Sequence, residues 1–346
     1  MKISQLKIKY FFYLFLLITI SLLISAGLKK RGFFKKELPA TKETKEKELT
    51  KVKLAMGYVP NIQFAPFYVA LDKGYFADQG LEIDFDYGWE TDIIQLTAKN
   101  ELQFGIASGD QVILAASQDL PIVYLFNWYQ KFPVTITSLA ETKITQPADL
   151  VGKKIGLPAL HGASYIGLKA FLSENNISEK KVDLQTIGYT QVPNLTEKKV
   201  EAAVCYAMNE PVQLENSGYS INNIYVHQFA NLVSNGLITN QETIEKNPQL
   251  IQSLITAFSQ GLEETIKNPD QAWAISKKFI PELKEEDEPL QKKILQQSIE
   301  YWRSAVSSYG LNNKDQWQKS VGLMKQFGLI EKEPLVDNLF TNQFIK

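Results

Sequence analysis

The stretch from Val52 to Ile83 reads VKLAMGYVPNIQFAPFYVALDKGYFADQGLEI and decides the fold class of the chain. Its opening, Val52–Tyr58, is a short apolar run that predicts a strand. The amphipathic segment after it predicts a helix that continues through Lys73. Leu81–Tyr87 then alternates apolar and acidic residues, which is typical of a half-exposed or edge strand. A strand, a helix and a second strand in this order indicate an α/β fold.

The same alternation of short strands and helices continues outward from this stretch. The next predicted elements are helices at Thr91–Lys99 and Asp110–Gln118 and strands at Phe104–Ala107 and Ile122–Phe126. This rhythm predicts a largely parallel sheet that helices cover on both faces. A second cycle begins after Pro133, with strands predicted at Lys154–Leu157, Val182–Ile187, Val200–Tyr206 and Ile221–Val226 and a helix at Gly162–Glu174. A return strand is predicted at Asn235–Thr239, and from Glu242 onward the chain is almost wholly helical, with breaks near Asn268-Pro269, Ile280-Pro281 and Gly310.

Two α/β cycles and a helical tail predict two lobes, the second inserted into the first. We expect lobe 1 to comprise residues 52–135 together with a return segment and C-terminal helices at 231–346. Lobe 2 is expected at residues 136–230. Two crossover segments, near Pro133–Ser138 and near Phe229–Asn235, are expected to form a hinge between the lobes.

The N-terminal region, residues 1–36, has the composition of a targeting segment. Three lysines precede an uncharged apolar run of eighteen residues at 11–28. A basic segment followed by such a run predicts an export signal, and its length also permits an uncleaved membrane anchor. Residues 37–51 are rich in Lys, Glu and Thr and predict a solvated tether. We therefore expect an extracytoplasmic protein, exported and anchored by residues 11–28, while cleavage of the segment stays open.

Composition excludes several classes of function. The 37 lysines and arginines nearly balance the 38 aspartates and glutamates, so no global field favours nucleic acid or acidic lipid. Cys205 is the one cysteine, so no intramolecular disulfide can form, and its apolar strand predicts a buried, inert thiol. Two histidines are too few for a histidine-rich metal site. We expect no nucleic-acid partner, no metal, no cofactor and no catalytic residues.

Ordered motifs extend over residues 52–345. GYVPNIQFAPFYVA at Gly57–Ala70 precedes KGYF at Lys73–Phe76, GLEI at Gly80–Ile83, FGIASGD at Phe104–Asp110, PADLVGKKIG at Pro147–Gly156, VEAAV at Val200–Val204 and NEP at Asn209–Pro211. This set resembles the substrate-binding proteins of ABC importers for thiamine pyrimidine precursors, riboflavin, taurine and alkanesulfonates. The segments Asn61–Phe64, Glu90–Asp92 and Asn209–Pro211 look closest to the pyrimidine-precursor and riboflavin branch.

The resemblance implies a type II periplasmic-binding-protein fold, with the ligand held between two hinged lobes. It also implies a monomer that delivers a small aromatic N-heterocycle to the membrane permease of an ABC importer and catalyses nothing. A related fold hosts an enzyme that makes the thiamine pyrimidine from a protein histidine and pyridoxal phosphate. That family uses iron and carries a cysteine-rich segment, and the single cysteine and the predicted export signal here argue against it. An anchored sensor domain without a transporter stays open.

Candidate site residues follow from the placement of polar and aromatic side chains after strands, where clefts of such folds are built. Asn61, Gln63 and Phe64 come soon after the first strand, and the amides offer donors and acceptors to ring nitrogens and carbonyls. Asn61 as a simple helix cap is the alternative. Trp89 follows the second strand and suits stacking on a flat ring, although a core position is equally open. Glu90 beside it suits an exocyclic amine.

Ser108, Gly109 and Asp110 lead from a strand into a helix. Gly109 permits a close approach, and the backbone N–H groups there suit an acceptor on the ligand. A plain cap by Ser108 is the alternative reading of the same residues. The three residues are therefore predicted as ligand contacts.

Aromatic residues follow two further strands. Trp128 and Tyr129 come after the strand Ile122–Phe126, near the hinge, and beside an amide side chain they favour a pocket wall over core. Tyr189 follows the strand Val182–Ile187, in a position suited to stacking. These three rings complete the predicted aromatic part of the site.

Two further groups lie at predicted helix starts. Gly162, Ser164 and Tyr165 suit an oxygen-binding helix N-terminus, with ordinary turn and capping chemistry as the alternative. Asn209 and Glu210 follow the strand Val200–Tyr206. The Glu210 carboxylate suits a charge-assisted bond to an aminopyrimidine or two N–H groups of a flavin-like ring. Alternatively, it simply favours the helix dipole.

Overall fold

A computed structural model of the protein describes residues 48–281, 283–303 and 309–345. The predicted signal or anchor, and most of the tether, lie outside these ranges. Among the described residues, no helix combines the length and the apolar character that crossing a bilayer requires.

The described helices and strands follow one another in the alternating order that the sequence predicts. In chain order they are β1 (Thr50–Met56), α1 (Ala65–Asp72), α2 (Tyr75–Asp78), β2 (Leu81–Tyr87), α3 (Glu90–Ala98), β3 (Phe104–Ser108), α4 (Gly109–Ser117), β4 (Ile122–Asn127), β5 (Val134–Leu139), β6 (Lys154–Leu157), α5 (Gly162–Glu174), β7 (Asp183–Thr186), α6 (Gln191–Thr196), β8 (Ala202–Tyr206), α7 (Glu210–Asn216), β9 (Ile221–Tyr225), β10 (Asn235–Asn240), α8 (Gln241–Lys246), α9 (Pro248–Lys267), α10 (Pro269–Ser276), α11 (Glu288–Trp302) and α12 (Lys314–Gln326). Short 3₁₀ turns join several of them, including one at Ile62–Phe64 directly before α1.

The strands form two sheets of five. The order is β2-β1-β3-β10-β4 in the first sheet and β7-β6-β8-β5-β9 in the second. As its alternating pattern predicts, β2 lies at an edge. The prediction of a largely parallel sheet is confirmed, with one exception in each sheet: four of the five strands run in the same direction, whereas β10 runs antiparallel to β3 and β4, and β5 runs antiparallel to β8 and β9.

The antiparallel strands have a simple geometric cause. The chain leaves β4 at the carboxyl edge of the first sheet and enters the second sheet at its carboxyl edge, so β5 runs against its neighbours. The chain returns in the same way from β9 to β10, and Asn235 at the start of β10 pairs with Ser108 at the end of β3. The carboxyl edges of the two sheets are therefore joined by two direct crossovers.

The first crossover lies earlier in the chain than the sequence predicts. Pro133–Ser138 was expected to cross between lobes, yet Val134–Leu139 is strand β5, fully buried and paired on both sides. Residues 128–133 alone make the connection between β4 and β5. The predicted lobe limits near residues 135 and 230 stay predictions.

The C-terminal helices pack against the first sheet through α9. This helix buries one face, including Leu254, Phe258 and Leu262, at the spacing of an amphipathic helix. Gly261 on the same face lets α9 approach α1 closely, because an added Cβ would lie 2.2 Å from the carbonyl oxygen of Pro66. The helical tail thereby fixes α1 and, through it, the loop that follows β1.

Cys205 lies in β8 and is buried and unpaired, so the prediction of a buried thiol is confirmed. Burial raises the pKa of this thiol well above its ordinary value. A thiol that stays protonated is a weak nucleophile, which agrees with a structural position in the second sheet.

Candidate functional site

A cavity of about 320 Å³ lies where the carboxyl edges of the two sheets meet. Residues that follow β1, β2 and β4 line it from the first sheet, and residues that follow β6, β7 and β8 line it from the second. The crossovers bring these loops together, because each passes directly from one carboxyl edge to the other.

Most of the predicted site residues line this cavity. They are Asn61, Gln63, Phe64, Trp89, Glu90, Trp128, Tyr129, Gly162, Ser164, Tyr189, Asn209 and Glu210. Ser108, Gly109, Asp110 and Tyr165 are absent from the lining. For the residues that line the cavity, contact with a ligand stays a prediction.

Ser108, Gly109 and Asp110 lie behind the cavity and hold its wall. The backbone N–H and the Oγ of Ser108 both donate to Glu90 Oε1, the Oγ at 2.7 Å. The close approach at Gly109 is to the second crossover, since an added Cβ would lie 2.5 Å from the Val233 side chain. Asp110 is buried, and its Oδ2 accepts a hydrogen bond from Gln111, which does line the cavity.

Tyr165 also lies outside the lining. Its hydroxyl donates to Glu179 Oε1 at 3.1 Å, and the Lys169 ammonium lies 5.3 Å from the ring. The turn at Gly162 and Ser164 reaches the cavity, but the Tyr165 side chain is directed to these charged neighbours.

Two exposed aromatic rings face each other at the cavity, one from each sheet. Trp89 is 60% exposed and Tyr189 is 55% exposed, and their rings stack with centroids 5.8 Å apart and planes 19° apart. Tyr58 packs edge-on against Tyr189 at 5.4 Å. Trp89 is therefore not a core residue, and its stacking on a ligand stays a prediction.

Trp128 and Tyr129 are buried in the hydrophobic core and also form part of the cavity wall. Trp128 is 2% exposed and packs against Phe67 at 5.2 Å and Trp302 at 5.5 Å, between ring centroids. Both Trp128 and Tyr129 nevertheless line the cavity. The Trp128 indole N–H has no hydrogen-bond partner in the part of the chain that the structure describes.

Six carboxamides converge on the cavity, three more than the sequence predicts. Asn61 caps the 3₁₀ turn by accepting from the Gln63 backbone N–H at 3.0 Å, so the capping alternative holds alongside its place in the lining. The additional amides are those of Gln111, Gln191 and Asn235.

The sequence contains a clear signal for one of the amides that it does not predict, and none for another. Gln191 begins α6 after β7, so its position after a strand was visible in the sequence. Asn235 opens β10, and it reaches the cavity only because β10 runs antiparallel to β3. Within the described ranges, the Oε1 atom of Gln191 is buried without a hydrogen-bond partner, which leaves an acceptor for a bound molecule.

Two carboxyl groups line the cavity and a third lies behind it. Burial, together with the nearby Asp110 carboxyl, raises the pKa of Glu90 to about 7, although the hydrogen bonds from Ser108 act in the opposite direction. Burial also raises the pKa of Asp110 and of Glu210. In the part of the chain that the structure describes, no lysine or arginine lines the cavity.

We expect the free energy of unfolding to fall as pH rises from about 4.3 to about 7. The unfolded chain releases the Glu90 proton near the ordinary glutamate pKa, whereas the folded chain holds it to about 7. Over this window the folded state binds more protons, so raising the pH favours unfolding. Urea unfolding at a series of pH values measures the slope.

The Glu90→Gln variant distinguishes the contribution of Glu90 to the pH dependence of stability from that of the neighbouring titratable groups. Asp110, Tyr124, Tyr189 and Tyr206 all interact electrostatically with Glu90 and remain in the variant. The pH slope of its stability should be shallower than in the parent, and Glu101→Gln, an exposed glutamate, should keep the parent slope. Equal slopes in all three proteins would show that Glu90 does not hold the proton.

Known proteins match both the sequence and the fold. The NMT1/THI5 like family matches residues 61–272. The riboflavin-binding protein RibY of Chloroflexus aurantiacus is 39% identical over 303 residues, which are 86% of this chain and 86% of that protein. The formylaminopyrimidine-binding protein of Halalkalibacterium halodurans is 25% identical over 308 residues, which are 86% of this chain and 91% of that protein.

A solved structure shares the fold. The periplasmic aliphatic sulphonate binding protein SsuA from Escherichia coli superposes with a TM-score of 0.68 at 13% identity. The match covers 83% of this chain and 96% of that chain. The predicted two-lobed α/β fold of periplasmic binding proteins is thereby confirmed.

Proposed function

Because the chain belongs to the NMT1/THI5-like family, we propose that it is the binding protein of an ABC importer and captures a small aromatic N-heterocycle. The observation that carries the proposal is the lining of the cavity, where aromatic rings and six carboxamides converge from both sheets. Flat heterocycles present faces for stacking and edges with donors and acceptors. Between the candidate ligands, the 39% identity to a riboflavin-binding protein favours a riboflavin-like ring.

Contacts from both sheets supply a mechanism for capture. A ligand that bonds to Asn61 or Gln63 on one side and to Asn209 or Glu210 on the other makes all its contacts only when the cleft is closed. Ligand binding therefore favours the closed form. The permease of the importer would then recognise the closed surface.

The Trp89–Tyr189 pair adds a constraint on how the ligand enters. Its ring centroids are 5.8 Å apart, whereas a third ring between two others needs about 7 Å, twice the usual contact distance. A flat ligand thus either stacks on one side of the pair or separates its two rings. In both cases the pair bridges the two sides of the cleft.

Capture and delivery require no chemistry, so the proposal includes that the chain is not an enzyme. It also includes an extracytoplasmic location, with attachment to the membrane through residues 11–28, and a monomeric state. Metal analysis of the purified full chain tests the enzymatic alternative, because stoichiometric iron would contradict a plain binding protein.

Thermal unfolding of the full chain tests the ligand class. The panel comprises riboflavin, thiamine, the aminopyrimidine precursors of thiamine, taurine and alkanesulfonates. A ligand at a hundred times its dissociation constant stabilises the folded state by about 2.7 kcal/mol, which is a readily measured shift. We expect a shift with a flat heterocycle and none with taurine. No shift with any heterocycle would contradict the proposed ligand.

A further inference from the structure

Two glutamates occupy matching positions, one in each half of the cleft. Glu90 is the first residue of α3 and accepts from the backbone N–H of Ser108, the last residue of β3. Glu210 is the first residue of α7 and accepts from the backbone N–H of Tyr206, the last residue of β8, at 2.9 Å. Each glutamate side chain therefore lies at the start of a helix and accepts a hydrogen bond from the last backbone N–H of a strand.

These are the positions that ligand anions take in other binding sites. Unpaired backbone N–H groups and the positive end of the helix dipole attract phosphate, sulfate and carboxylate groups. Here Glu90 and Glu210 already accept from the strand-end N–H groups and place their own carboxyl groups at the two helix starts. A ligand anion arriving at either position would meet a carboxyl group.

The remainder of the lining offers little to balance an anion. Among the described residues, no lysine or arginine lines the cavity, and the one histidine of the lining is His161. Asp110 adds a third carboxyl behind Glu90. Of the helices whose first residue lines the cavity, α5 at Gly162 and α6 at Gln191 have no acidic residue in the first turn.

The size of two opposing effects decides whether an anion binds: attraction by the helix N-termini, and the desolvation and repulsion that oppose it. A helix N-terminus stabilises an anion by about 0.3–1 kcal/mol, and by about 2 kcal/mol in favourable geometry. Bringing an anion without a paired cation into a partly buried site costs several kcal/mol, and neighbouring carboxylates add repulsion. The desolvation cost and the repulsion together therefore exceed what the starts of α5 and α6 contribute.

We propose that the cleft selects its ligand by charge, because Glu90 and Glu210 take the positions that an anionic ligand would need. Neutral or cationic heterocycles bind, and their phosphate esters are rejected, as are sulfonates. The heterocyclic part of this inference rests on the proposed function, whereas the exclusion of anions applies to any small ligand.

Matched pairs of ligands test the inference on the full chain. Riboflavin is compared with flavin mononucleotide, and the hydroxymethyl aminopyrimidine with its phosphate ester, by isothermal titration at pH 8. We expect each phosphate ester to bind at least about 100-fold more weakly than its partner. In Glu90→Gln and in Glu210→Gln, the ratio of the two dissociation constants should shrink at least about tenfold.

Glutamine keeps an oxygen that accepts from the strand-end N–H, so these variants remove the charge and preserve the bond. Thermal unfolding without ligand confirms that each variant is folded. The exposed Glu101→Gln serves as the matched control and should leave both ratios unchanged. Equal affinities within a pair, or ratios that stay at the parent value in both cleft variants, would overturn the charge selection.

Failure of the proposed ligand class gives a different result. If no heterocycle binds, the ligand assignment is wrong, and taurine and the alkanesulfonates then decide the question of charge. Binding of any sulfonate to the parent chain overturns the inference. Sulfonate binding that appears only when Glu90 and Glu210 are both replaced by glutamine upholds it.

Discussion

Replacing Trp128 by alanine is expected to lower the free energy of unfolding by about 3–5 kcal/mol. The indole is 2% exposed and packs between Phe67, Phe258 and Trp302, in the hydrophobic core beside the first sheet. Removing it leaves a void among rings that belong to α1, α9 and α11. Urea unfolding of the variant and the parent measures the loss.

A second tryptophan provides the contrast. Trp89→Ala removes a ring that is 60% exposed, so its effect on stability should stay within about 0.5 kcal/mol. A loss below about 1 kcal/mol in Trp128→Ala would show that the core closes around the missing ring. For measurements of affinity at this position Trp128→Phe is preferable, because it preserves most of the packing.

Trp89→Ala is expected to weaken ligand binding by about 1–3 kcal/mol, which corresponds to roughly 5- to 150-fold in the dissociation constant. Trp89 lines the cavity and stacks on Tyr189 across it, so its face is available to a flat ligand on one side of the cleft. Titration with riboflavin, followed by the quenching of flavin fluorescence, measures the change.

The matched control for this variant is Leu335→Ala. Leu335 is 73% exposed and lies outside the lining, so its removal should alter neither affinity nor stability appreciably. If Trp89→Ala binds riboflavin as tightly as the parent does, Trp89 is not part of the binding surface. A loss that Trp89→Phe restores would identify stacking as the contribution of the ring.

Local patterns in the sequence predict most of the helices and strands. The limits of β2, β6 and α5 agree with prediction, because alternation, apolar runs and glycines mark them clearly. The sequence predicts a crossover where β5 lies, because the pairing partners of this strand, β8 and β9, lie far along the chain and give no local signal. The direction of a strand within a sheet has no local signature at all.

The same distinction explains the candidate site. Asn61, Tyr189 and Glu210 were found because they follow parallel strands, whose carboxyl ends meet at one edge of a sheet. Asn235 was missed because it precedes its strand, and the strand had to be known as antiparallel. Ser108 ends a strand and Gly109 follows it, but the second crossover passes beside them and separates them from the cavity.

The insertion of β10 between β3 and β4 has a consequence for how the protein is made. On the ribosome β3 and β4 are complete more than a hundred residues before β10 appears, and the whole second sheet is synthesised in between. Until then their facing edges have no hydrogen-bond partner and can pair with other chains. The order of synthesis therefore completes the second sheet before the first. The first sheet becomes complete only when β10, a strand of six residues, pairs with β3 and β4.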